Sequence, residues 1–272
     1  MAAEAKTEII SVGNELLIGK VLNTNAQFLA KRSTTLGNTP ARITVVADNV
    51  NEISNAIKEA LRRKPRFIII TGGLGPTSDD KTLQGIAKAL KRKLAVNTKA
   101  LNMVKKKYEA YARTENVKTI ELTPPRIKMA TIPEKTKPIE NPVGTAPALR
   151  ATINETTIFA LPGVPTEMED IFEDTVAPLL GRASKGAAFS EKSIYVNGIM
   201  ESTLAPLIDI VTQKNPEIYI KSHPKGEENR PNIEIHFSIT TTNNDKSKER
   251  LQAAIDQLSQ LITANNGEVF CP

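Results

Sequence analysis

The sequence is poor in the residues that build disulfide, zinc and catalytic-triad sites. Its 272 residues include one cysteine, Cys271, no tryptophan and only two histidines, His223 and His236. One cysteine cannot form an intrachain disulfide or a zinc cluster. Both histidines lie in the C-terminal third, where we interpret them as structural or exposed, so a Ser-His-Asp triad is not expected. The cysteine usage favours a reducing, cytoplasmic setting.

Long apolar runs are also missing. No segment approaches the ~18 consecutive apolar residues that a membrane helix needs, and Met1–Lys6 carries charges where a secretory signal would be apolar. We therefore expect no membrane association. Hydrophobic residues make up 40% and charged residues 24% of the chain, which is typical of a globular protein. Because aromatic residues are only 4%, the core must be mainly aliphatic.

The net charge of +6 is unevenly distributed. The positive excess lies in residues 1–182, whereas residues 183–272 are slightly acidic. A positive half attracts anionic ligands weakly, although we interpret most of this charge as solvated helix surface.

Up to residue 180, short apolar runs alternate with amphipathic segments, a pattern typical of βαβ units. The predicted strands are 7–12, 42–47, 66–71, 126–132, 148–153 and 157–161, and the predicted helices are 25–36, 51–64, 80–90, 100–113 and 166–180. Right-handed crossovers between such strands give a parallel sheet covered by helices. The fold class expected for residues 5–182 is therefore α/β, with three layers and a mostly parallel sheet.

The order of elements changes after a small, polar linker at residues 181–188. Strands are predicted at 193–196, 217–221 and 232–240, with helices at 201–211 and 246–262. This β-α-β-β-α pattern predicts a second, smaller α+β domain over residues 189–272.

Glycines, amides and carboxylates follow four of the predicted strands. These segments are Gly13-Asn14-Glu15, Asp48-Asn49, Thr71–Asp80 and Pro162-Gly163. Ligands of open parallel sheets bind outside the carboxyl ends of the strands. We therefore expect the four segments to share one edge of the sheet and to form a single crevice.

The glycine loop, defined here as Gly72–Asp80, is the strongest single signal. Gly72, Gly73 and Gly75 allow positive φ angles and a close approach of ligand to backbone, and successive N–H groups there suit a phosphate. The spacing is neither that of a Walker A loop nor that of a dinucleotide fingerprint. The alternative is a tight turn in which Asp79 or Asp80 caps the next helix.

Glu15 and Asp48 are expected at the same edge as Asp79 and Asp80. These four carboxylates around one crevice would suit a divalent metal such as Mg²⁺, Mn²⁺ or Co²⁺, which would polarise phosphate oxygens. Two structural alternatives remain open, with Glu15 merely exposed at a helix start and Asp48 capping the helix near Asn51.

Two amide-rich segments complete the candidate site. Asn23-Thr24-Asn25 precedes the first long helix, and Asn141–Pro147 is a turn-rich loop between strands. Asn side chains can pair with a base or a sugar. The alternatives are helix capping for the first segment and simple connection for the second.

Residues 7–180 resemble the MoaB/Mog-like molybdopterin-binding fold, and specifically the N-terminal domain of CinA-like proteins. The resemblance rests on the order and spacing of Ile10–Gly13, Glu15–Leu17, Asn23–Asn25, Thr44–Val46, Asp48–Asn49, Gly72–Thr77, Asp79–Asp80 and Leu161–Pro165. Residues 190–265 resemble the KH-type domain of the same proteins, through Gly198-Ile199 and Glu201–Leu204. That unit has no Gly-x-x-Gly loop, so nucleic-acid binding is not expected.

The leading function that the resemblance implies is a metal-dependent pyrophosphatase that acts on ADP-ribose or a similar nucleoside diphosphate-linked compound. The first alternative is a protein that binds or adenylylates molybdopterin, and the second is a non-catalytic nucleotide-binding protein. The resemblance also implies a homo-oligomer, a dimer or a trimer. The amidase domain of CinA has no counterpart here, so deamidation of nicotinamide mononucleotide is not predicted.

Two positions depart from the family pattern. Asn14 stands where CinA proteins commonly have threonine, and Ala148 stands where they have glycine. Both departures affect the identity of the substrate more than the fold.

The candidate residues can now be assigned. The predicted catalytic residues are Asp48, Asp80 and Glu15, and the predicted metal ligands are Asp79 and Asp80. The predicted substrate- or phosphate-binding residues are Gly13, Asn14, Asn23, Asn25, Thr71, Gly72, Gly73, Gly75, Pro76, Thr77, Asn141, Gly144, Pro162 and Gly163.

Overall fold

A computed structural model of the chain describes residues 5–114, 121–225, 232–242 and 244–270. The chain divides into two compact units, one of residues up to 34 together with 38–183, the other of residues 35–37 together with those from 184 onward. Each unit has its own hydrophobic core. Cys271 lies outside the described residues. None of the described helices is both long and apolar enough to cross a membrane.

The first unit consists of eight strands and eight helices within the described residues. The strands are β1 Lys6–Val12, β2 Thr39–Val46, β3 Phe67–Thr71, β4 Leu94–Val96, β5 Thr131–Pro133, β6 Lys137–Ile139, β7 Ala148–Ile153 and β8 Thr156–Leu161. The helices are α1 Asn14–Leu17, α2 Thr24–Thr35, α3 Val50–Arg63, α4 Thr82–Leu90, α5 Thr98–Thr114, α6 Pro124–Met129, α7 Pro165–Ile171 and α8 Ala177–Ala183. A π-helical turn, Phe172–Val176, joins α7 to α8.

The main sheet has six strands in the order β2-β1-β3-β8-β7-β6. β1, β2, β3 and β8 are parallel, whereas β7 is antiparallel to both of its neighbours. The sheet is mixed, with three parallel pairings out of five, so it is mostly parallel as predicted except at β7. The reason is the two-residue turn Asn154-Glu155 between β7 and β8, because a connection this short permits only an antiparallel pair.

Both faces of the sheet are buried, as alternate residues of its central strands demonstrate. Ile10, Ile68 and Ile158 belong to the core that includes Ile53 and Ile57 of α3. Ile9, Ile69 and Phe159 have the opposite parity and are also fully buried, so a second helical layer covers that face. Phe28 of α2 and Phe172 meet edge to face with ring centroids 5.7 Å apart. Each fully buried aliphatic side chain stabilises the fold by about 1.5–3 kcal/mol.

One predicted strand is wrong. Residues 126–132 form most of α6 followed by the first part of β5. Pro124 and Pro125 occupy the first two positions of α6, where the fixed φ of proline favours a helix and its missing N–H costs nothing. Ile127 and Met129 are two positions apart, a spacing that is also typical of a strand, and the six residues of α6 are too few to show a helical period. The short elements α1, β4 and β6 were not predicted.

The second unit contains β9 Ala188–Asn197, α9 Glu201–Lys214, β10 Tyr219–Pro224, β11 Asn232–Thr241, α10 Asn244–Ala264 and β12 Glu268–Phe270. Its sheet order is β10-β11-β9-β12, and all three pairings are antiparallel. This is the ferredoxin-like β-α-β-β-α-β arrangement, one strand longer than predicted. The KH-type assignment stays a prediction. His223 and His236 lie on β10 and β11 of this unit.

A glycine at the contact between α3 and α4 provides a test of the packing. Gly85 is buried in α4, and an added Cβ would overlap the side chain of Ile53. We expect Gly85→Ala to lower the free energy of unfolding by about 1–3 kcal/mol through overpacking, although alanine is intrinsically the better helix former by about 1 kcal/mol.

Gly181 is the matched control, because it also lies in a helix and an added Cβ meets nothing within 4 Å. Gly181→Ala should therefore leave stability unchanged or raise it. Urea unfolding of both variants measures the difference, and equal stabilities would contradict the close α3–α4 contact.

Candidate functional site

The four segments that follow β1, β2, β3 and β8 meet at the carboxyl edge of the sheet. The Gly13 N–H donates to Val46 O at 3.1 Å, which joins the ends of β1 and β2. The Gly72 N–H donates to Leu161 O at 3.1 Å, which joins the ends of β3 and β8. The structure therefore brings the predicted segments together, while the chemical roles of their residues stay predictions.

Two reciprocal hydrogen bonds between Asp48 and Asn14 join the first two segments. The Asn14 N–H donates to Asp48 Oδ2 at 2.8 Å, and the Asp48 N–H donates to Asn14 Oδ1 at 3.3 Å. The alternative role of Asp48 as a helix cap is wrong, because Asn49 caps α3 by accepting from the N–H groups of Asn51 and Glu52. Glu15 lies exposed in α1.

The first two glycines of the glycine loop have the positive φ angles expected of them, 100° for Gly72 and 67° for Gly73. A side chain at Gly72 would overlap the carbonyl oxygen of Val12, and one at Gly73 would overlap the hydroxyl of Thr82. Thr82 Oγ1 also donates to Gly72 O at 2.8 Å. The loop is thus packed between the end of β1 and the start of α4, so that only glycine fits at positions 72 and 73.

The carboxylates of the loop do not cap α4. Its N-cap position is Lys81, which forms no side-chain cap. Asp80 Oδ2 instead accepts from Thr77 N at 2.9 Å and from Thr77 Oγ1 at 2.5 Å. The predicted alternative of an aspartate cap is therefore wrong, and Asp80 shapes its own loop. The Thr77 hydroxyl, followed by the backbone amide of Asp79 itself, lowers the pKa of exposed Asp79.

Lys128 of α6 reaches the same loop and was missed by the sequence interpretation. Its Nζ donates to Gly75 O at 3.2 Å and to Thr77 O. Partial burial lowers the pKa of Lys128, and the negative charges of Asp80 and Asp79 oppose this effect by raising it. The prolines at the start of α6 were the signal that would have placed Lys128 on a helix instead of a strand.

Asparagine side chains organise the other flank of the loop. Asn25 Nδ2 donates to Thr71 Oγ1 and to Gly163 O, each at 2.9 Å, and Thr71 Oγ1 donates to Pro162 O at 2.8 Å. The Asn25 side-chain oxygen is buried and has no hydrogen-bond partner among the described residues. Asn23 Oδ1 accepts from Ala26 N at 3.1 Å, so Asn23 caps α2.

The predicted loop at residues 141–147 is held by the side chain of Asn141. Asn141 Oδ1 accepts from Val143 N and Gly144 N, while its Nδ2 donates to Ala146 O and to Glu167 Oε2 of α7. The amide is thus used within its own loop and against α7. Asn141 and Gly144 line neither of the cavities described next.

Two cavities flank the glycine loop. The amide cavity, of about 120 Å³, is lined by Glu15, Leu22, Asn23, Asn25, Thr71, Gly72 and Gly163 among others. The lysine cavity, of about 300 Å³, is lined by the 73–75 segment of the loop, by Asp80, Gln84 and Lys128, and by the apolar side chains of Leu74, Leu83, Leu94, Pro124 and Ile127. A ligand that contacts the loop backbone can therefore extend to either side of it.

In their present arrangement, the oxygen atoms of the loop are poorly suited to coordinate a divalent metal. No group of three or more His, Cys, Asp or Glu side chains comes together as metal ligands in the part of the chain that the structure describes. The Asp80 carboxylate already accepts from Thr77, and a lysine ammonium already contacts two loop carbonyls. The predicted metal on Asp79 and Asp80 stays a prediction.

The buried amide of Asn25 generates a stability prediction. In Asn25→Asp the two donors become a carboxylate that faces the Gly163 carbonyl, and we expect a loss of about 3 kcal/mol at pH 7. Because this burial raises the folded-state pKa of the new carboxyl, the loss should shrink as the pH falls toward the ~3.9 of free aspartate.

Urea unfolding at pH 7 and pH 4 measures both effects, with Asn102→Asp on the exposed surface of α5 as the control. A loss for Asn25→Asp no larger than that of the control would contradict the observed hydrogen bonds.

Comparisons with known proteins agree with this architecture. Residues 8–182 match the protein family described as "Probable molybdopterin binding domain". A protein of Sulfurisphaera tokodaii is 44% identical over 264 residues and covers 97% of either chain. One of Pyrobaculum aerophilum is 43% identical over 261 residues, which are 96% of this chain and 95% of the relative.

One solved structure is similar in both sequence and fold. The crystal structure of CinA from Thermoplasma acidophilum, described as a protein of unknown function, is 40% identical with a TM-score of 0.59. The match covers 65% of this chain and 98% of that one. The resemblance of residues 7–180 is thereby confirmed at the level of family and fold: the chain belongs to the family of probable molybdopterin-binding domains.

Proposed function

We propose that the first unit binds a phosphorylated pterin of the molybdopterin type at the glycine loop. The observation that carries the proposal is the position of this loop, between two cavities at the carboxyl edge of the sheet, in a member of this family. Phosphate oxygens would accept from loop N–H groups other than those of Gly72, Thr77 and Asp80, which donate within the protein, where the positive φ angles at Gly72 and Gly73 let the backbone turn toward a ligand.

The lysine cavity suits the ring of such a ligand. Its volume of about 300 Å³ and its mainly aliphatic walls match a flat heterocycle. Gln84 lines it, and the Gln84 side-chain oxygen is buried without a hydrogen-bond partner among the described residues. An N–H donor on the ring edge would supply that partner, and Asp80 could accept a second one.

Adenylylation is the finer form of this proposal. The ligand phosphate would attack the α-phosphorus of ATP, form a diphosphate bond and release inorganic pyrophosphate. The amide cavity, across the loop, offers Asn23 and Asn25 beside Glu15 for the nucleotide half. The dimer or trimer expected from the sequence stays a prediction.

Titration with molybdopterin tests the binding step directly. Because the chain has no tryptophan, the fluorescence of the pterin can be followed without interference from indole emission. Asp80→Asn keeps an oxygen for the Thr77 contacts but replaces the charged acceptor of the proposed ring N–H by a neutral one, and we expect it to weaken binding of molybdopterin about 10- to 100-fold. Asp170→Asn, an exposed substitution on α7, is the control. Wild-type protein that binds no molybdopterin would refute the proposal.

A second candidate is the hydrolysis of a diphosphate bond, as the sequence predicted for ADP-ribose. The observation that favours it is the group of carboxylates along the crevice, with Asp48 on one segment and Asp79 and Asp80 on another. A water molecule held by such a carboxylate would attack a phosphorus atom and release AMP.

The two candidates differ in their products. ADP-ribose, FAD and NAD would each be incubated with the full chain in Mg²⁺, Mn²⁺, Co²⁺ or EDTA, and AMP measured by chromatography. Hydrolysis predicts AMP release that Asp80→Ala abolishes while Asp170→Ala retains it. Molybdopterin with ATP should instead yield pyrophosphate and adenylylated pterin. Absence of AMP in every condition would eliminate the pyrophosphatase and leave pterin binding.

A further inference from the structure

The ammonium group of Lys128 lies in a position lined by oxygen atoms. It donates to the carbonyls of Gly75, at 3.2 Å, and of Thr77. The carboxylates of Asp79 and Asp80 lie near enough to interact with its charge. Carbonyl and carboxylate oxygens are the ligands that hard cations such as Mg²⁺ and Mn²⁺ prefer. The position is therefore suited to a cation, and a side chain of the protein fills it.

Lys128 also lines a cavity large enough for a ligand. Lys128 and Asp80 both line the lysine cavity. An ammonium has three N–H donors, and the two loop carbonyls take two of them. The third is available to an anionic oxygen, and a phosphate would make a stronger, charge-assisted bond than the neutral carbonyls do.

The carboxylates make a cation necessary. A phosphate at the glycine loop approaches Asp79 and Asp80, and repulsion between like charges at short range opposes binding. A positive charge between them offsets this repulsion. In many phosphate sites a divalent ion has that role, but here a lysine already occupies the place that the ion would take.

We propose that Lys128 is the resident cation of the glycine loop and binds the phosphate of the ligand without a divalent metal. The inference rests on the proposed function for the identity of the phosphorylated ligand. Lys128 would keep its contact with the loop carbonyls while its third donor pairs with a phosphate oxygen. Its role is that of a binding residue, and it explains why the loop carries two adjacent acids without a third metal-ligating side chain among the described residues.

The first experiment measures binding of AMP and of inorganic pyrophosphate to the full chain by calorimetry, in EDTA and in Mg²⁺. We expect similar affinities in both buffers and a loss of about 10- to 100-fold in Lys128→Met. Lys128→Arg should retain more of the affinity because it keeps the charge. Lys107→Met is the matched control, since Lys107 also donates to a backbone carbonyl, that of Pro142, outside both cavities.

Unchanged affinity in Lys128→Met, or binding that EDTA abolishes, would overturn the inference. Wild-type protein that binds neither probe would count against the proposed function instead, and the second experiment then decides the inference alone.

The second experiment needs no organic ligand. Free Mn²⁺ is measured by electron paramagnetic resonance during titration of the wild type, of Lys128→Ala, and of Lys128→Ala combined with Asp80→Asn. Removal of the ammonium should open the oxygen-lined position, so that Lys128→Ala gains one Mn²⁺ that the double variant loses. An Mn²⁺ site already present in the wild type and lost in the double variant, or the absence of any gain in Lys128→Ala, would refute the inference.

Discussion

The close approach of the Gly72–Gly73 backbone to the end of β1 is the constraint on which the candidate site depends. The Val12 carbonyl leaves no space for a side chain at Gly72, and the Thr82 hydroxyl leaves none at Gly73. Because the chain passes there with positive φ angles, the loop turns sharply out of β3 and lies over the start of α4. This turn separates the amide cavity from the lysine cavity.

Around this loop, most of the polar side chains have structural partners. Asp48 and Asn14 hold two strand ends together, and Asn25 joins α2 to the last residue of β3 and to the segment after β8. The Asp48–Asn14 pair is exposed, whereas the Asn25 donors are buried, and leaving a buried donor without a partner costs about 1–3 kcal/mol. Asp80, Gln84 and Lys128 line the larger of the two cavities.

The charges of the site follow from the same geometry. Two adjacent aspartates at the loop would by themselves repel a phosphorylated ligand, and Lys128 brings a positive charge to them from a distant part of the chain. The proposed class of ligand rests on the family relationship, and the proposed place rests on the loop with its two cavities. Under this proposal, the local charges of Lys128, Asp79 and Asp80 govern the affinity for an anion more than the net charge of +6 does.

The sequence by itself determined the elements whose signals are local. The apolar runs of β1, β3 and β8, the amphipathic helices between them and the glycines at 72 and 73 all depend on neighbouring residues, and their placement at one sheet edge follows from parallel pairing. Tertiary structure decided the rest. The contact of Lys128 with Gly75 spans 53 positions and that of Asn25 with Gly163 spans 138, and no periodicity over a few residues encodes pairings at such separations. The antiparallel direction of β7 depends on both kinds of information. Its two-residue turn is a local feature, but the turn length is known only when the structure gives the last residue of β7 and the first residue of β8.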